Sequence, residues 1–179
     1  IKAALEAAKI SLPKGCPVVY LSPKGKPFDQ AMAKKFSNMS SLILLAGRYE
    51  GIDERLLESQ IDEEISVGDF VLSGGEIAAM AVIDAVIRLL PGVLGDSESA
   101  EEDSFMNGLL DYPHYTRPED IEGRKVPDVL LSGDHAEILR WRRKQALGCS
   151  FLKRPDLSEK MDLDVEQQLL LEEFLKEQR

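Results

Sequence analysis

Pro17-Val18-Val19-Tyr20-Leu21, the stretch from Pro27 to Phe36, and Ser41-Leu42-Ile43-Leu44-Leu45-Ala46 together set the architecture. The two outer runs are short, continuously apolar and bounded by Pro, Gly or Ser, the pattern of strands covered on both faces. The stretch between them has helical spacing. A strand, a crossover helix and a second strand make a parallel pair, so the fold class is α/β. Towards the C-terminus, Ile52 to Gln60 predicts a short helix and Ile65 to Leu72 a further strand. Ser73-Gly74-Gly75-Glu76 follows, and from Glu76 to Leu90 apolar and small residues recur at helical spacing until Pro91-Gly92 stops them. That helix is expected to be the best buried in the protein. Ahead of the first strand, Ile1, Leu5 and Ala8 fall on one helix face, and because the chain opens inside that pattern, further residues upstream are expected.

Past Gly95 the composition changes to Asp-Ser-Glu-Ser-Ala-Glu-Glu-Asp-Ser. Such a stretch has too little apolar surface to offset its ordering entropy, so a flexible acidic linker is expected over 96–110. Asp111 to Val126, with Pro113, Pro118 and Gly123, reads as loop. Asp134-His135-Ala136-Glu137 has the form of a capping box opening a helix to Leu147, and Leu163 to Leu175 is a closing acidic amphipathic helix. The expected organisation is a sheet domain over 1–95, the linker, and a small helical domain over 111–179. There is no internal repeat.

A chain of 179 residues buries roughly 70% of its unfolded surface and needs no disulfide or metal staple. Cys16 and Cys149 lie far apart with no Cys or His at ligand spacing, so they read as ordinary thiols and no metal site is assigned. The apolar run Ile77 to Ile83 falls far short of the ~20 residues that span a bilayer, and no signal segment opens the chain. A cytoplasmic protein without a membrane partner is expected. The net charge of -10 argues against nucleic acid until it is located. Residues 1–49 carry +6, residues 50–103 carry -13 and residues 104–179 carry -3. Within the last segment Arg140, Arg142, Arg143, Lys144, Lys153 and Arg154 occur with no acid between 140 and 154. Taken alone this is a solvated helix face; it also permits an RNA partner.

Each expected strand ends in a glycine-bearing turn. In open α/β sheets, ligands sit beyond the carboxyl ends of the strands, where glycine allows close backbone approach. None of these turns has a dinucleotide or triphosphate signature, and each taken singly is just a turn. As an ordered set they carry more. Leu21-Ser22-Pro23, Ala46-Gly47-Arg48-Tyr49-Glu50-Gly51-Ile52-Asp53-Glu54-Arg55, Ser66 to Glu76, Leu90-Pro91-Gly92-Val93-Leu94-Gly95, Glu102-Asp103-Ser104-Phe105 and Pro113-His114-Tyr115-Thr116-Arg117-Pro118 closely resemble the bacterial tRNA (guanine-37-N1) methyltransferases, of the SPOUT class. The resemblance runs from Ile1 to about Leu175. The family carries a further N-terminal stretch that supplies the first strands of its sheet.

The resemblance implies a trefoil-knotted parallel sheet domain followed by a small all-α domain, a homodimer with its active site at the subunit interface, and S-adenosylmethionine bound in a bent form. It assigns donor contacts to Tyr20, Leu21, Ser22, Pro23, Gly47, Tyr49, Glu50, Gly51, Val67, Gly68, Asp69, Phe70, Val71, Leu72, Gly74 and Gly75. Phe70 stands where the family more often has tyrosine. Guanine N1 must lose a proton to become a nucleophile, while the donor sulfonium already makes its methyl electrophilic, so a base is needed more than an acid. Asp103 resembles the family's base, and Arg88 the arginine that stabilises charge on the guanine oxygen. Without the family, Asp103 is one acid of a solvated linker and Arg88 a helix-end cation. Glu50 contacts the donor or the guanine, or is a first-turn acid. His135 fits a helix cap and His114 a structural hinge. The resemblance places Arg117, Arg140, Arg142, Arg143, Lys144, Lys153 and Arg154 on the tRNA-facing side, with Trp141 in the core, and magnesium in a supporting role without ligands that can be located. The expected activity is methylation of N1 of guanosine 37. The alternatives are a non-catalytic RNA-binding or dimerisation fragment, and a knotted methyltransferase for another RNA base.

Overall fold

The computed structural model describes residues 1–48, 51–93, 103–159 and 161–178. The chain forms two compact units, Ile1–Ser97 and Glu98–Arg179. In the first, helix α1 (Lys2–Ile10) precedes strand β1 (Val18–Pro27), helix α2 (Gln30–Ser37), strand β2 (Ile43–Ala46), helix α3 (Glu54–Gln60), strand β3 (Glu63–Ser66) and helix α4 (Glu76–Ile87). The strands form a parallel sheet in the order β2-β1-β3. The α/β expectation and the β1-α2-β2 crossover hold. Asp62 fixes the start of β1 twice: its carboxylate accepts from the Val18 amide at 2.8 Å, and its own amide donates to the Val18 carbonyl at 2.9 Å.

The apolar run at 18–21 sits where it must, at the centre of the sheet and out of water. Val19, Leu21, Phe36, Ile65, Ala78 and Val82 form the core, with Met32, Leu44 and Val86 against it. Burying a Val or Ile side chain of this kind contributes about 1.5–3 kcal/mol. The sequence expectation of a strand from Ile65 to Leu72 is corrected: β3 ends at Ser66 because Gly68 takes φ +150° and turns the chain out of the sheet. β1 continues past Leu21 by looping out Ser22 to Gly25 and rejoining β3 at Lys26 and Pro27. Gly25 is required there, since a Cβ would run into the Ile65 backbone. The expected burial of α4 is also corrected. Only Ala78 and Val82 are buried, while Ile77, Met80, Ile83 and Ile87 are exposed on the described unit.

The second unit carries a two-residue hairpin, β4 (Asp120–Ile121) with β5 (Arg124–Lys125), inside the expected loop. Its helices are α5 (Asp128–Leu131), α6 (His135–Lys153), α7 (Pro155–Ser158) and α8 (Val165–Glu177). Asp134 caps α6 by accepting from the amides of Ala136 and Glu137, and Asp164 and Gln167 close a reciprocal capping box on α8. α6 runs a turn and a half beyond the expected Leu147. It packs on α8 through Leu147, Leu170 and Phe174, with Gly148 leaving room for the Phe174 ring.

Candidate functional site

In the first unit, the carboxyl ends of all three parallel strands open onto one cavity of about 400 Å³. β1 contributes Tyr20 and Leu21, and the loop thrown out within it Ser22 and Pro23. Gly47 and Gly51 come from the turn after β2, and Val67, Gly68, Phe70, Val71, Leu72, Gly74 and Gly75 from the segment after β3. Thirteen of the sixteen residues expected to hold a methyl donor are therefore brought together. Asp69 is exposed and is not part of the wall, and Tyr49 and Glu50 lie outside the described residues. One clasp shapes the rim. The Gly75 amide donates to the Gly47 carbonyl at 2.8 Å, and Arg48 bridges to Gly74 and pairs with Glu76. The Arg48 guanidinium beside Glu76 holds that carboxyl below its ordinary range. A Cβ on Gly75 would lie 2.9 Å from the Ala46 Cα, so the approach of these two segments needs glycine.

Local sequence reading misses Glu64, whose position in an Asp-Glu-Glu run looks like a surface acid. It faces this cavity, and its Oε1 is buried with no hydrogen-bond partner among the described residues. Tyr20 lines the same space; burial and then the Glu64 charge raise its phenol above the ordinary range. A glycine-rich rim, apolar walls from Leu21, Ile65, Val67 and Leu72, and an unsatisfied carboxylate oxygen fit a flat heterocycle joined to a cationic or hydrogen-bond-donating group.

The two expected catalytic residues belong to different units. Arg88 is the C-cap of α4. Asp103 lines a second cavity, of about 490 Å³, formed within the second unit with Asn107, Tyr112, Arg142 and Arg143. The segment carrying Asp103 is tied to α6 and to itself. The Leu110 amide donates to the buried Ser150 hydroxyl at 2.8 Å, the Asp111 amide donates to the Ser104 hydroxyl at 2.9 Å, and Arg154 lies over the Phe105 ring.

The model of the family described as tRNA (Guanine-1)-methyltransferase TrmD matches residues 1–160. The chain belongs to this family. Relatives named tRNA (guanine-N(1)-)-methyltransferase include one from Nitrosococcus oceani, 60% identical over 99% of this chain and 70% of its own length. A second, from a Marinomonas species, is 58% identical over 99% of the chain and 70% of its own length. A third, from Vibrio cholerae, is 55% identical over the whole chain and 72% of its own length.

In this member of the tRNA (guanine-1)-methyltransferase family, the basic residues of the second unit fall into two groups. Arg117 and Arg143 are exposed, Lys153 is exposed in the last turn of α6, and Arg142 lies over the Tyr112 ring at 4.8 Å. The other three are paired with carboxylates of the same unit, Arg140 and Arg154 at the surface. Arg140 binds both oxygens of Glu173 at 2.7 Å, and Arg154 binds both oxygens of Asp156 at 2.8 and 2.7 Å. Lys144 is buried with its Nζ on Glu177, which corrects the outward face expected for it. Trp141 is half-buried beside Tyr115, ring centroids 6.2 Å apart. His135 is the first residue of α6, and the capping is done by Asp134. No group of three potential metal ligands occurs among the described residues, so none is assigned to magnesium.

Proposed function

We propose that this chain transfers a methyl group from S-adenosylmethionine to N1 of guanosine 37 in tRNA. The observation that carries the reading is the glycine-rimmed cavity beside the parallel sheet, in a chain of the tRNA (guanine-1)-methyltransferase family. The donor supplies a methyl made electrophilic by its sulfonium. Tyr20, Ser22 and the backbone of Gly47, Gly51, Val67, Gly68 and Phe70 to Gly75 would hold it, with Glu64 offering its unsatisfied oxygen to the donor's cationic or hydroxyl groups. Asp103 accepts the N1 proton, the N1 lone pair forms the new C–N bond as the C–S bond breaks, and Arg88 stabilises negative charge on the guanine oxygen. With the assignment of Asp103 and Arg88, the reading takes over from the family resemblance a homodimer in which residues of two copies complete the site. The exposed apolar residues of α4 support a second copy as the surface that covers them.

The same reading makes 1–95 the knotted catalytic domain, 96–110 a linker and 111–179 the tRNA-binding domain. Among the described residues no helix is long and apolar enough to cross a membrane; the location proposed with this function is the cytoplasm.

The test is a pair of measurements on the chain and on Asp103→Ala. S-adenosylhomocysteine titrated calorimetrically should bind both at one site per chain, and methyl transfer to a tRNA transcript should fall at least about a hundredfold in the variant. Near-normal turnover of Asp103→Ala removes it as the base. Donor binding without transfer by either chain favours the non-catalytic alternative, and transfer to a transcript lacking guanosine 37 favours another target base.

A further inference from the structure

Within the second unit, three side chains form a column that the donor cavity and the proposed proton transfer leave unused. The Arg142 guanidinium lies 4.8 Å from the Tyr112 ring centroid, and the Tyr112 and His114 centroids are 4.9 Å apart at 44°. Asp111 fixes the column at its outer end. Its Oδ2 is 2.6 Å from His114 Nε2, and its Oδ1 accepts from the Tyr112 amide at 2.7 Å. The Asp111 side chain is only 20% exposed, whereas that of His114 is 68% exposed. The carboxylate therefore grips the imidazole by one edge and leaves much of the ring in water. His114 borders a cavity of about 650 Å³, whose walls also hold Tyr115, Thr116 and Arg117.

We propose that His114 is a stacking platform for an unpaired nucleobase of the RNA substrate, extending the Arg142-Tyr112-His114 column by one member, with Arg117 placed for the adjoining phosphate. The proposal rests on the tRNA methyltransferase reading and adds a subsite to it. Single-stranded RNA is recognised chiefly by splaying bases onto aromatic or guanidinium planes, and such stacking tolerates any base. A ring set against a tyrosine and fixed by a carboxylate loses little side-chain freedom when a base lands on it. Its role is to seat a base near the target, and proton transfer is left to Asp103.

The experiment uses anticodon stem-loop RNAs in which 2-aminopurine replaces one loop nucleotide at a time. Two variants separate the two properties of the ring: His114→Phe keeps an aromatic face and loses the bond to Asp111, and His114→Gln can keep that bond without a face. One loop position should be quenched on binding to the natural chain and to His114→Phe. His114→Gln should lose that quenching and bind about 5- to 100-fold more weakly. Equal quenching and affinity in all three, or binding kept by His114→Gln and lost by His114→Phe, overturns the platform while leaving the methyltransferase reading intact. If the natural chain binds no stem-loop at all, the tRNA reading itself falls and the platform with it.

Discussion

Tyr20 is the residue whose ionisation the fold most directly opposes. It is 8% exposed, stands beside Gly47 where a Cβ would touch its hydroxyl at 3.1 Å, and feels the charge of Glu64. Its phenol is raised in the folded state, so stability is complete below the unfolded value near 10 and declines as pH rises towards the folded one. Tyr20→Phe should abolish that decline. Urea midpoints taken between about pH 8 and pH 11 should fall less steeply in the variant, and parallel curves for the two proteins would show that the tyrosine is not the group responsible. At this scale, the glycines and Tyr20 were legible in the sequence because they end apolar runs. Glu64 was not: an acid next to another acid looks like surface, and only the β1-β3 pairing turns it inwards. Arg140 and Lys144 were misleading for a related reason. Their partners Glu173 and Glu177 are 33 positions away, beyond the reach of any local charge count.

Among the elements, α6 does more than display charge. Ser150 on its inner face is wholly buried, donates to the Ala146 carbonyl at 2.8 Å and receives the Leu110 amide at the same distance. It thereby anchors the chain leading back to Asp103. Ser150→Ala should cost about 1–3 kcal/mol through the amide left without its acceptor, measured by chemical denaturation. Amide exchange at Leu110 should accelerate as well; unchanged exchange there would show that the segment is held by other contacts. The parallel crossover was readable because strands covered on both faces are continuously apolar. The end of β3 was harder to place, since Val67 and Phe70 to Leu72 continue the apolar pattern while the backbone at Gly68 has already left the sheet. Apolar periodicity reports what prefers burial, and a single φ can redirect the chain that carries it.

For the whole molecule, α4 sets the largest question. Ile77 and Met80 are 65% and 68% exposed on a helix whose sequence is apolar nearly all round. Its composition expresses a preference for burial that the described chain does not satisfy, and nothing in one chain's periodicity says which surface would provide it. With a second copy as the cover, Met80→Glu should weaken self-association by about tenfold or more, because a desolvated charge at an apolar contact is costly. Sedimentation velocity over a concentration series reads this directly, and an unchanged association constant would remove α4 from the interface.

The internal pairs of the second unit also bear on how binding responds to ionic strength. Protein affinity for RNA falls with added salt in proportion to the phosphates neutralised, as condensed counterions are released. Arg140, Lys144 and Arg154 already have carboxylates of their own. A polyanion gains little from them unless those pairs open, so the ionic atmosphere it sheds on docking is smaller than the seven basic side chains suggest. The share left to base stacking is insensitive to salt, and it would persist where a purely electrostatic grip had let go.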